Sequence, residues 1–129
     1  MISKMLTIAA LGLTLIASAA AEPKKAAETK KGPNGGVVVS VDNHPVELVV
    51  RGQELVFYIG DHDGGPQPTK GQKARAVVQD GGKTMTVVLM ATPPNMFVGK
   101  LAAPLGAKAR VAFTGTVEGH NLQARFVAP

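Results

Sequence analysis

From Gly35 onward the chain runs in short stretches of alternating apolar and polar residues, broken by glycine, proline, asparagine and aspartate, which is the pattern of β-strands and turns. Its strongest unit is Val46-Glu47-Leu48-Val49-Val50, the turn Arg51-Gly52-Gln53-Glu54, and Leu55-Val56-Phe57-Tyr58-Ile59. This reads as a tight hairpin running out into the polar tip Gly60-Asp61-His62-Asp63-Gly64-Gly65-Pro66. A two-residue loop at Gly52-Gln53 sets Arg51 opposite Glu54. The register then pairs Val50 with Leu55, Leu48 with Phe57, Val46 with Ile59 and His44 with Asp61. One face of the hairpin is apolar up to its open end, where it changes to histidine and aspartate.

The same pattern predicts about eight strands, near 36–41, 44–51, 54–62, 73–79, 83–90, 96–101, 107–117 and 120–127. Turn chemistry separates them, as at Asp42-Asn43, Asp80-Gly81-Gly82, Pro93-Pro94-Asn95 and Glu118-Gly119. Val111 and Phe113 alternate with Arg110 and Ala112, and Leu122, Ala124 and Phe126 alternate with Asn121, Gln123 and Arg125. No stretch after the N-terminal segment has helical periodicity with caps. The expectation is an all-β fold, an antiparallel two-sheet sandwich of immunoglobulin-like dimensions, with a small closed barrel as the alternative. The Cys and Trp marks of true immunoglobulin domains are absent.

Residues before Gly35 follow other rules. Lys4, the apolar run from Met5 to Ala17 and the small residues Ser18-Ala19-Ala20-Ala21 read as a secretory signal peptide, residues 1–21, cleaved after Ala21. The apolar core is shorter than the ~20 residues that a membrane span requires. Cleavage removes Lys4 alone among the charged residues, taking the formal charge from +5 to +4 and leaving a chain bound for the periplasm with no membrane span. Residues 22–34 hold no apolar side chain larger than alanine and read as a flexible Lys- and Ala-rich tether, which leaves residues 35–129 as the domain. The lysines of that tether equal the whole charge excess. A basic tether without aromatics on an exported chain is not a nucleic-acid site.

Composition narrows the chemistry. The chain has no cysteine, which excludes disulfides, thiolate metal sites and a cysteine nucleophile, and leaves histidine, carboxylates and methionine as metal ligands. Ser40 is the one serine beyond the signal segment, and it stands in an apolar strand without a nucleophile elbow. Neither Gly32-Pro33-Asn34-Gly35-Gly36 nor Asp80-Gly81-Gly82 opens a helix, so neither is a phosphate loop. The chain does not read as an enzyme.

If each connection reverses the chain, all three histidines, His44, His62 and His120, arrive at one end of the domain with Asp42, Asp61, Asp63, Glu118, Met90 and Met96. The metal-site expectation is therefore His44, His62 and His120 as nitrogen ligands, with Asp61 as ligand or orienting group. The expected ion is copper, zinc or nickel, all of which imidazole suits. The other explanation is a His–Asp hydrogen bond closing the sheet end, among polar residues that concentrate in any turn.

Gly32-Pro33-Asn34-Gly35-Gly36, then Pro45-Val46-Glu47-Leu48, then Asp61-His62-Asp63-Gly64 with Pro66, resembles the small N-terminal β-domain of periplasmic adaptor subunits of heavy-metal efflux pumps and related short exported proteins. The resemblance implies a periplasmic β-domain concerned with copper or divalent ions, as a buffer or chaperone beside an exporter. Asn34 stands where the family's opening motif often carries histidine, and the coiled-coil and membrane-fusion portions of an adaptor have no counterpart here. Two function classes follow: a metal-binding module, and a non-catalytic module that binds a periplasmic protein partner.

Overall fold

The computed structural model describes residues 29–128, so the expected signal peptide and the first part of the tether lie outside the described residues. Among the described residues nine strands run in chain order: β1 (Lys30–Lys31), β2 (Val37–Val41), β3 (His44–Arg51), β4 (Glu54–Ile59), β5 (Ala74–Asp80), β6 (Lys83–Thr92), β7 (Met96–Lys100), β8 (Arg110–Val117) and β9 (His120–Val127). All pairings are antiparallel, in the order β1-β2-β3-β4-β7-β6-β5-β8-β9, and no helix occurs among the described residues.

The hairpin of β3 and β4 has the register read from the sequence, from Arg51 opposite Glu54 to Val46 opposite Ile59. Gly52, at φ 59°, supplies the positive φ that a two-residue turn needs to match strand twist. The expected division into two separate sheets is not what hydrogen bonding makes. β6 pairs with β5 through Lys83–Leu89 and then with β7 through Met90–Thr92, so one long strand carries the ladder from one half to the other. The result is one curled sheet. Its far margins approach each other where β2 packs near β9, without the hydrogen-bonded pairing that would close a barrel.

The two halves face each other across an apolar interior. Phe57 of β4, Phe97 of β7, and Phe113 and Phe126 of β8 and β9 are all buried, with the Phe57 and Phe113 rings 4.8 Å apart and Phe97 and Phe113 5.8 Å apart. Burial of each such ring is worth roughly 1.5–3 kcal/mol. With few aromatics available, valine, leucine and isoleucine from alternating positions fill the remaining volume.

One difference lies at the N-terminal margin. Residues 30–34, which composition places in the tether, are tied to the domain: Lys30 and Lys31 pair with Val38 and Val37, and the Gly32–Gly36 loop folds over Glu47. A buried carboxylate on the partner strand supplies what apolar content could not.

Candidate metal centre at the histidine end

β3 begins with His44 on the inward-facing parity shared by Val46 and Leu48, so the imidazole closes the end of the core and is fully buried. The expected pairing of His44 with Asp61 does not form, because regular pairing stops at Ile59. Beyond it Gly60 N–H donates to the Pro45 carbonyl at 2.8 Å, and His44 Nδ1 lies 2.9 Å from the Gly60 carbonyl oxygen. A carbonyl only accepts, so Nδ1 carries the proton and donates. In the neutral ring Nε2 then holds a lone pair. That Nε2 is buried and has no hydrogen-bond partner, alone among the buried side-chain nitrogen and oxygen atoms of the described residues.

Several contacts fix the Gly60 carbonyl. Ile59 N–H donates to the Asn95 carbonyl at 2.9 Å, while the Ile59 carbonyl accepts from Asn95 Nδ2 at 3.0 Å and Gln67 N–H at 2.9 Å. A Cβ at Gly60 would collide with the Pro45 ring, so only glycine lets the strand end pass so close.

His62 rides on a tight loop. The Asp61 carboxylate accepts from Asp63 N–H at 2.9 Å and Gly65 N–H at 2.8 Å, and Asp61 N–H donates to the Gly65 carbonyl at 2.7 Å. Asp61 therefore shapes the loop that carries His62, where the sequence suggested a group bound to His44. The exposed His62 ring lies 4.3 Å from His44 between centroids, tilted by 51°.

His120 arrives from the other margin of the sheet. It opens β9 opposite Val117, after the Glu118-Gly119 turn, on the parity that Leu122 and Ala124 turn inward. The approach of β2 to β9 sets its exposed ring 6.1 Å from His44. The structure thus brings His44, His62 and His120 together and keeps the Asp61 carboxylate in its own turn. Met90, grouped with them by strand counting, is 69% exposed on the outer sheet face.

Two imidazoles on one tetrahedral ion, each bound at about 2.0–2.1 Å, have centroids about 5 Å apart. The observed separations of 4.3 and 6.1 Å fall on either side. As they stand, no group of three or more His, Cys, Asp or Glu among the described residues is arranged to hold a metal ion.

The sequence offered no sign of the Gly60 carbonyl, whose role depends on where β4 stops. Comparison with protein-family models, with curated proteins and with solved structures finds no match for this chain.

Proposed function

We propose that the chain is an exported, non-catalytic metal-binding module whose ligands are His44 Nε2, His62 and His120, taking copper, zinc or nickel in the divalent state. The observation that carries the reading is the buried, unpartnered Nε2 of His44, with two exposed imidazoles beside it. A buried polar atom without a partner costs about 1–3 kcal/mol. A bound ion would recover that cost. The Nδ1–H donated to a backbone carbonyl is the arrangement that orients a metal-ligating histidine and raises its basicity.

Because the donors are not yet convergent, binding requires the exposed rings of His62 and His120 to change rotamer about a fixed His44, at a cost of the order of 1 kcal/mol each. The resemblance to efflux-adaptor β-domains agrees with this reading and suggests a buffer or chaperone beside an exporter.

Calorimetric titration of the purified chain with Zn(II), Cu(II), Ni(II) and Cu(I) tests it. The expected result is one equivalent of a divalent ion bound by the wild type and lost in the double variant His62→Ala, His120→Ala, whose replaced side chains are exposed. His44→Ala should weaken binding at least about tenfold. Equal affinity in the wild type and in the double variant would eliminate the site.

A further inference from the structure

The outer face of β6, β5, β8 and β9 carries a pattern that the histidine end does not use. Register places Arg75 of β5 directly opposite Val88 of β6, Arg110 of β8 opposite Val127 of β9, and Arg125 of β9 opposite Ala112 of β8. In each strand the neighbouring positions Ala76, Val111 and Ala124 turn into the core, so the three arginines share the outward face, and all three are exposed. They are three of the four arginines in the chain.

No outward position of these strands holds a carboxylate. Asp80 ends β5 on the other parity, and its side chain accepts from Gly106 N–H at 2.8 Å. Lys83 and Lys108 join Arg110 around a shallow cleft of about 450 Å³ at the Gly81-Gly82 turn. The face is therefore positive, and no carboxylate among the described residues stands on it.

It is also where the apolar surface lies. Among the described residues the exposed large hydrophobics are Val88 at 73%, Met90 at 69% and Val127 at 56%, and all three point outward here, two of them directly beside an arginine. An open groove of about 470 Å³ continues from Val88 and Met90 to Val98 and Lys100 of β7.

We propose that this face docks on an anionic lipid bilayer, the arginines meeting lipid phosphates while Val88, Met90 and Val127 enter the boundary between headgroups and acyl chains. Charge complementarity selects the partner: each basic residue near an anionic membrane surface contributes about 1 kcal/mol, and shallow apolar insertion adds to it. Val88 and Met90 form one short apolar strip with Val98, edged by Arg75 and Lys100, and Val127 stands apart beside Arg110, a spread of apolar groups among cations that suits shallow insertion better than one central, desolvated pocket. Arginine also pairs with phosphate in a bidentate fork that lysine lacks.

The absence of cysteine allows a single reporter. An environment-sensitive fluorophore on Val88→Cys of the full chain is mixed with phosphatidylcholine vesicles with and without phosphatidylglycerol, and compared with the same label on Ser40→Cys, exposed on β2. The expected result is a blue shift at position 88 with the anionic vesicles only, none at position 40, and weakening as salt rises. Adding Arg75→Gln, Arg110→Gln and Arg125→Gln should raise the lipid needed by about a hundredfold. Circular dichroism of the triple variant checks that these exposed replacements keep the fold. The proposal is overturned by no shift at position 88, by an equal shift at position 40, or by a shift that survives loss of the three arginines. A shift with polyglutamate but not with anionic vesicles would also overturn it, assigning the face to an acidic polypeptide.

Discussion

The carboxylate of Glu47, itself only 3% exposed, accepts a 2.8 Å hydrogen bond from the backbone N–H of Gly36. It also accepts from Asn34 through the backbone N–H at 2.9 Å and Nδ2 at 2.9 Å, so one side chain holds the whole Gly32–Gly36 loop against β3. A Cβ at Gly32 would collide with that carboxylate, and one at Gly36 with the Leu48 carbonyl. Hydrogen bonds to a charged group contribute about 1.5–3 kcal/mol. Glu47→Ala strands these donors and is expected to destabilise the domain by about 2–4 kcal/mol in urea unfolding. A loss below about 0.5 kcal/mol would show that the loop does not depend on it.

Asp61 distinguishes ligand from loop-former. Its carboxylate is occupied by the N–H groups of Asp63 and Gly65. Asp61→Asn keeps an acceptor for that turn, so metal affinity should stay within about twofold of wild type, whereas Asp61→Ala should loosen His62 and lower affinity by about threefold to tenfold. A tenfold loss in the Asn variant would instead make Asp61 a direct ligand.

Protons compete for a histidine site. An imidazole nitrogen binds metal only after losing its proton, so acidification opposes binding, and affinity should fall at least about tenfold from pH 7.5 to pH 5.5. Zinc titration in two buffers of different ionisation enthalpy would count the protons released. Affinity independent of pH would exclude imidazole ligands.

Phe113 joins the two halves of the curled sheet, packed against both Phe57 and Phe97. Phe113→Ala removes most of a fully buried side chain and should cost about 3–5 kcal/mol, read from the urea midpoint. A loss of about 1 kcal/mol would mean that the core collapses into the vacancy. Phe113→Leu should cost less, because it leaves the smaller cavity.

The register of the β3–β4 hairpin and the inward or outward direction of most side chains were legible in the sequence, because both follow from local alternation and from a turn of defined length. Reversal at each connection likewise carried His44, His62 and His120 to one end. Local pattern does not reach further. That β6 bridges the two halves, and that β2 approaches β9 closely enough to set His120 6.1 Å from His44, depends on how far the sheet curls over its core. Curling sums twist over every strand, and no single strand encodes it. His44 was read against Asp61, yet its partner is the Gly60 carbonyl, since β4 stops at Ile59 and a backbone group leaves no mark in residue type. Lys30 and Lys31 looked like tether because the buried Glu47 that anchors the loop after them lies far along the chain. The grouping of Arg75, Arg110 and Arg125 leaves no mark in the sequence for a similar reason. Each is one polar position in its own strand, and only the β5-β8-β9 register sets them on one face beside Val88 and Val127.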